Sequence, residues 1–99
     1  MSVVASYIKD PSAILDYSLD WGSWLQSNET ISGATWAITP SQTAQTGDLA
    51  VKMSAVAGGV TTAWLQNGVV GCQYTASCTI TTSLGRTDVR SISIDVEDR

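Results

Sequence analysis

The side chains that most often perform catalysis are scarce in this chain of 99 residues, and their spacing does not suit a reaction. Histidine is absent, which excludes Ser-His-Asp and Cys-His sites and removes the commonest general base and metal ligand. Asp16 and Asp20 form the best carboxylate pair. On a strand their Cα atoms lie about 13 Å apart, whereas the carboxyl groups of glycosidases lie about 5–9.5 Å apart. We therefore predict no catalytic residues and no enzymatic activity.

Cofactor and metal sites are not expected either. The acidic residues do not cluster into a loop with the closely spaced Asp and Asn ligands that calcium requires. Gly58-Gly59, and Gly68 with Gly71, lack the Lys-Ser/Thr pair that completes a phosphate-binding loop. We interpret these glycines as hairpin turns, and Asp16 and Asp20 as a solvated strand face that discourages aggregation.

The two cysteines, Cys72 and Cys78, are six positions apart on one predicted strand and on the same face of it. Their Cα atoms would be about 20 Å apart, and a disulfide requires about 4.4–6.8 Å. Two cysteines without histidine also make a poor metal site. Both are predicted to be unpaired, buried side chains.

Alternation of apolar and polar residues with a period of two dominates the second half of the chain. Every second residue from Tyr74 to Ile80 is apolar, and Ile92, Ile94 and Val96 alternate with polar neighbours. This pattern is typical of strands that bury one face. The predicted strands are one that ends near residue 9 and six more near 13–21, 31–39, 49–56, 60–66, 74–81 and 91–97. The sequence therefore predicts an all-β protein, an immunoglobulin-like antiparallel β-sandwich of about seven strands.

The predicted domain organisation is a short leader followed by one sandwich. Residues 1–12 are predicted to be an extended N-terminal leader or edge strand that ends before Pro11. Residues 13–99 are predicted to form the sandwich. Trp36 and Tyr74 hold positions that resemble those of immunoglobulin domains, although Tyr74 precedes Cys78 by four residues rather than two.

The charge and hydropathy of the chain argue against nucleic acids and membranes as partners. The net charge is −4 and only five residues are basic, which argues against nucleic acid as a partner. No apolar run approaches the roughly 20 residues that span a bilayer, so no membrane is expected. The N-terminal residues do not resemble a secretion signal, and we expect the protein to be made and used without export.

Four tryptophans and no phenylalanine make tryptophan the main aromatic of this chain. Trp21 and Trp36 continue the inward faces of their strands and are predicted to be in the core. Trp24 lies in the least regular segment, where it either caps the end of the sandwich or contacts a partner. Trp64 points outward if its two neighbours point inward, and an exposed tryptophan on a sheet is a candidate anchor for a partner protein.

Longer motifs resemble a known family. They are the run from Lys9 to Trp21 (KDPSAILDYSLDW), the following Trp24-Leu25, the strand TISGATW from Thr30 to Trp36, and the C-terminal stretch from Tyr74 to Ile94. Together they resemble small proteins of tailed bacteriophages described as fiber–tail adaptor proteins, which have immunoglobulin-like sandwiches. The resemblance covers most of the chain and leaves out the loop at 40–48.

The resemblance implies a virion structural protein that links tail fibers to the tail or neck. It implies assembly in the host bacterial cytoplasm, contacts with other virion proteins, and a homo-oligomer in the particle. Two alternatives stay open: a capsid cement or decoration protein on the head, and a carbohydrate-binding module on the virion surface that uses Trp24 or Trp64. Strand addition would let the leader contact a neighbour. The expected interface residues are Val3, Val4, Tyr7, Ile8, Trp24 and Trp64.

Overall fold

The computed structural model describes residues 3–98 as seven strands in two sheets, without a helix in that range. The strands are β1 Val3–Lys9, β2 Leu15–Asp20, β3 Ile31–Pro40, β4 Ala50–Ala57, β5 Val60–Gln66, β6 Gln73–Thr82 and β7 Thr87–Val96. The four-stranded sheet has the order β1-β7-β6-β3, and the three-stranded sheet has the order β2-β5-β4. The predicted all-β sandwich of seven strands is confirmed. Residues 1, 2 and 99 of the predicted leader and sandwich lie outside the described residues.

One strand pair departs from the antiparallel pattern. The pairs β2–β5, β3–β6, β4–β5 and β6–β7 are antiparallel. β1 runs parallel to β7, with Tyr7 beside Ile94 and Lys9 beside Val96. A hairpin forces its two strands to be antiparallel, but β1 is followed in the chain by β2, which belongs to the other sheet. No hairpin therefore fixes the direction of β1.

The core lies between the sheets and uses the predicted faces. Alternate residues of β6 are buried from Tyr74 to Ile80, and Ile94 and Ile92 of β7 lie opposite Tyr74 and Ala76. Val96 of β7 is buried as well. Trp21 is fully buried, as predicted. Trp36 is only half-buried against this core, because β3 is the last strand of its sheet.

Both cysteines are buried and unpaired, as the sequence predicts. Cys78 lies on the inner face of β6, whereas Cys72 precedes the strand, which begins at Gln73. The Cys72 sulfur accepts a hydrogen bond from the side-chain amide of Gln42, at 2.9 Å. Burial raises the pKa of the Cys78 thiol, so this thiol stays protonated and packs as a small apolar group.

Lys9 is buried at the end of β1, which the sequence did not predict. Its Nζ donates hydrogen bonds to the backbone carbonyls of Asp10, at 2.9 Å, and Asn67, at 2.8 Å. Burial lowers the pKa of its ammonium group, and the nearby Asp10 opposes that change. The lysine thus ties the end of β1 to the turn between β5 and β6.

That turn depends on a glycine. Gly68 has a φ of +112°, and a Cβ added there would lie 2.6 Å from Cγ2 of Val96. We expect Gly68→Ala to lower the free energy of unfolding by about 2–4 kcal/mol, through backbone strain and overpacking together. Gly71 is the matched control, since it has a φ of +87° but nothing within 4 Å of its added Cβ. Gly71→Ala should cost about 1–2 kcal/mol. Equal losses in urea unfolding would show that the contact with Val96 is unimportant.

An ion pair between the buried Glu29 and the partly exposed Arg86 closes the segment between β2 and β3. The Glu29 carboxylate accepts hydrogen bonds from Arg86 Nη2 at 2.5 Å, Arg86 Nε at 2.8 Å, Thr82 Oγ1 at 2.6 Å and the backbone amide of Gln26 at 2.9 Å. The Arg86 guanidinium also lies 4.0 Å from the Trp24 ring centroid and donates to the Trp24 carbonyl. These contacts anchor the irregular segment to the start of β7.

The Glu29 pair predicts a specific acid sensitivity. The hydrogen bonds from Arg86 lower the pKa of Glu29 to about 2, against the opposing effect of burial. A carboxylate whose pKa is lower in the folded chain than in the unfolded chain stabilises the fold at pH values above its unfolded-state pKa, which is about 4.3. We therefore expect this stabilisation to disappear as the pH falls from about 5 towards 2.

Glu29→Gln tests this sensitivity directly. The difference in Tm between the parent chain and Glu29→Gln should be largest at pH 7 and shrink steadily towards pH 2. Asp16→Asn is the control, because Asp16 is exposed and forms no ion pair within residues 3–98. A difference that stays constant with pH would contradict the assignment.

Candidate protein-binding surface

The open edges of the two sheets meet on one side of the sandwich. β1 is the last strand of the four-stranded sheet and β2 the last strand of the three-stranded sheet. Between them lies a groove of about 610 Å³, the edge groove. It is lined by Ser6, Tyr7, Ile8, Leu15, Tyr17 and Asp95. Five of these six residues come from β1 and β2, and each of these strands has a neighbour on one side only.

Apolar side chains form the floor and rim of the edge groove. The Tyr7 and Tyr17 rings bridge the two sheets, with centroids 4.9 Å apart and planes tilted by 52°. Ile8 and Leu15 are 47% and 41% exposed on the rim. Further exposed apolar residues lie on the same strand and next to its neighbour: Val3 and Val4 on β1, and Ile14 before β2. An apolar groove marks an interaction site more often than scattered apolar residues do.

The Tyr17 hydroxyl is the unusual polar group of the edge groove. Tyr17 is 7% exposed. Its hydroxyl is buried and has no hydrogen-bond partner among the described residues. Burial, and then the neighbouring Tyr7 and Asp16, raise the pKa of this phenol, so it is a neutral hydrogen-bond donor at pH 7. Most buried polar groups in proteins are hydrogen-bonded, and this one therefore requires an explanation.

Negative charge lies beside the edge groove. Asp95 lines it, and Asp16 lies between Leu15 and Tyr17 on β2, close enough to raise the pKa of Tyr17. Within residues 3–98 neither of these two carboxylates forms an ion pair. The nearby Lys9 is buried, and its ammonium donates to backbone carbonyls. The edge groove therefore has a mostly apolar lining with negative charge beside it.

Of the six predicted interface residues, the four on β1 lie together, whereas Trp24 and Trp64 lie elsewhere in the structure. The four residues of β1 lie together along its edge, with exposures of 47% for Val3, 53% for Val4, 39% for Tyr7 and 47% for Ile8. Trp24 is half-buried, edge-on to Trp21 at 5.8 Å and covered by the Arg86 guanidinium. Its position at the end of the sandwich matches the capping alternative.

Trp64 lies on the outer face of the three-stranded sheet, as its parity indicates. Its neighbours Ala63 and Leu65 are fully buried on the inner face. Trp64 itself is half-buried, between Asp16 of β2 and Met53 of β4 in the strand register. It therefore lies on a different face of the sheet from Tyr17, which faces the edge groove.

Four groove residues are not among the interface residues predicted from the sequence, namely Ser6, Leu15, Tyr17 and Asp95. Leu15 and Tyr17 share the inward parity of β2, so the alternation assigns them to the core. One signal was available: Ile14 and Leu15 are adjacent apolar residues of opposite parity, so one of them must face away from the core. In the structure both are exposed, at 49% and 41%.

The described part of the chain shows neither a metal site nor a membrane-spanning helix. Residues 3–98 contain no group of three or more His, Cys, Asp or Glu side chains that could hold a metal ion. No helix among them is long and apolar enough to cross a membrane.

A second groove of about 300 Å³ lies beside the Glu29 ion pair and includes Leu25, Ile31 and Val56.

Comparison with known proteins identifies the family. No curated protein matches the chain. A family model described as podophage GP4 fiber-tail adaptor protein gp77 matches residues 9–95. The match starts at the last residue of β1 and takes in β2 to β6 and all but the last residue of β7. The chain thus belongs to the family of the podophage GP4 fiber-tail adaptor protein gp77, in agreement with the resemblance seen in its sequence motifs.

Proposed function

We propose that this chain is a non-enzymatic structural protein of a tailed-phage particle, which links tail fibers to the tail or neck. The family match over residues 9–95 carries this proposal. The edge groove supports it, because an open apolar surface with charge beside it suits protein binding. Assembly in the reducing host cytoplasm is consistent with two cysteines that are buried and unpaired.

An adaptor requires at least two contact surfaces, and we assign the first to β1 and the edge groove. Val3, Val4, Tyr7 and Ile8 present their exposed side chains there. Trp64 lies on another face and is a candidate for a second contact, to a further virion protein or to another copy of this chain. Trp24 contributes indirectly, because it packs between Trp21 and Arg86 and supports the fold.

The position of the protein in intact particles tests the proposal. We expect a cryo-electron microscopy map of the virion to contain a sandwich of this size between the tail and the fibers, with the edge groove covered by a neighbouring chain. Density on the outer capsid surface would instead make the protein a decoration protein of the head. A tail position with the edge groove facing solvent would keep the adaptor function and reject the assigned surface.

Glycan binding is separated by a different measurement. A carbohydrate-binding module requires an aromatic ring with a free face, and the Arg86 guanidinium already lies over Trp24 at 4.0 Å. Trp64 is the remaining candidate ring. Under the adaptor proposal, host surface glycans leave the tryptophan fluorescence of the isolated protein unchanged. A saturable shift that Trp64→Ala abolishes would favour the carbohydrate-binding alternative.

A further inference from the structure

We propose that the edge groove accepts an extended segment of a partner protein that carries alternating apolar and basic side chains, and that the Tyr17 hydroxyl donates a hydrogen bond to this segment. The inference rests on the proposed function and specifies the chemistry of the partner at the same surface. Three observations support it: the two open strand edges, the unpartnered hydroxyl and the negative charge beside the groove.

The shape of the edge groove suits an extended chain. It runs between β1 and β2, each of which has a strand neighbour on one side only. A strand that lies along either edge can form main-chain hydrogen bonds with it and place alternate side chains towards the groove. Ile8 and Leu15 on the rim and the Tyr7 ring on the floor offer apolar contacts to those side chains.

The Tyr17 hydroxyl supplies a specific polar contact. Within residues 3–98 only two buried side-chain atoms lack a partner, the Tyr17 hydroxyl and Trp36 Nε1, and Trp36 does not line the edge groove. A buried hydroxyl without a partner destabilises the free protein. A carbonyl oxygen of a bound segment would satisfy it, so the unfavourable group of the free protein becomes a favourable contact in the complex.

The charge selects a basic partner over a second copy of this chain. Asp95 lines the edge groove and Asp16 lies beside Tyr17, and neither forms an ion pair in the described residues. A second copy has the same net charge of −4 and brings like charges together. Lysine or arginine on a partner would pair with these carboxylates and accelerate association.

Tyr17→Phe separates a binding role from a structural one. If the hydroxyl serves the partner, Tyr17→Phe leaves Tm unchanged or raises it, while the affinity for the segment falls about tenfold. Tyr74→Phe is the matched control, because the Tyr74 hydroxyl accepts from the Val69 amide at 3.1 Å and donates to Asp48 Oδ1 at 2.8 Å. It should lower Tm and leave the affinity unchanged.

The binding measurement uses the whole chain and two synthetic peptides, Lys-Val-Lys-Ile-Lys-Val-Lys and its counterpart with Glu in place of Lys. We expect the basic peptide to shift the backbone amide signals of β1 and β2 in nitrogen-15 NMR spectra. The acidic peptide should bind at least about tenfold more weakly. Addition of salt should weaken binding of the basic peptide, since the charges beside the edge groove are exposed.

Three results would overturn the inference: equal binding of the two peptides, shifts confined to other strands, or an affinity that Tyr17→Phe leaves unchanged. The proposed function fails separately, through the position of the protein in the virion. A particle with this protein between tail and fibers, together with no peptide binding up to millimolar concentration, would keep the adaptor function and reject the basic, extended partner.

Discussion

A chain that carries both Ile8→Lys and Leu15→Lys is expected to fold normally and to be missing from purified phage particles. Both side chains lie on the rim of the edge groove and are almost half exposed. Lysine is well tolerated on edge strands, where it discourages unwanted pairing. Ile8→Lys also places an ammonium group beside Asp95, its partner in the strand register.

The expected loss of binding is large because two effects add. Removal of two half-buried apolar contacts costs about 2 kcal/mol of binding free energy. Two ammonium groups must also be desolvated at the interface and would face a basic partner. Together these effects weaken association by at least about 100-fold. The measurement is the amount of this protein per particle after complementation of a phage that lacks its gene, judged by mass spectrometry against the major capsid protein.

Val70→Lys combined with Leu84→Lys is the matched control. These residues are exposed to 49% and 54%, lie outside the edge groove, and change the net charge by the same amount. We expect the control to enter particles at the parental level. Normal incorporation of the groove variant, with its Tm unchanged, would show that the edge groove is not the contact surface. Loss of both variants would point to net charge instead.

The sequence predicted which residues face the core better than it predicted which strands lie at the edges. The alternation along β6 assigns Tyr74 and Ile80 to the inner face, and both are fully buried. The same reasoning assigns Leu15 to the core, but it is 41% exposed. Periodicity indicates on which face of a strand a side chain lies. Its burial also depends on whether another strand covers that face. Strand order is a property of the whole fold, and local spacing does not contain it.

The role of β1 illustrates the same limit. The exposed apolar residues Val4 and Ile8 were predicted as an interface from their position before Pro11. The structure adds that this strand pairs in parallel with β7 and ends at the buried Lys9. A lysine in a leader is normally solvated. Its burial here follows from the turn carbonyl of Asn67, which lies 58 positions along the chain and has no local sequence signal.

The candidate site combines a predictable part with an unpredictable one. The aromatic and apolar residues of β1 could be proposed because they lie in a predicted extended leader that could add to the sheet of a neighbour. The contribution of Tyr17 could not, because an inward tyrosine on β2 looks like any core residue until its hydroxyl is found to lack a partner. The contact between the Tyr7 and Tyr17 rings joins two sheets, and that distance appears only in the folded chain.

Replacement of Trp21 by alanine is expected to be more destabilising than any other substitution proposed for this chain. Trp21 is fully buried, and its Nε1 donates a hydrogen bond to Thr61 Oγ1 at 3.0 Å. Its ring contacts Trp24 and lies 4.2 Å below the Arg90 guanidinium. Truncation of a large buried aromatic costs about 3–5 kcal/mol. The free energy of unfolding of a domain of this size is about 5–15 kcal/mol, so a large part of its stability would be lost.

Trp64→Ala is the control with which the destabilisation by Trp21→Ala is compared. Trp64 is half-buried on the outer sheet face, so its loss should cost about 1–2 kcal/mol. Urea unfolding followed by far-ultraviolet circular dichroism measures both variants without relying on tryptophan emission. Similar costs would contradict a core centred on Trp21. Trp21→Ala should also reduce incorporation into particles, but with a lowered Tm, whereas the groove variant loses incorporation with its Tm intact. The two variants therefore distinguish loss of the fold from loss of the contact.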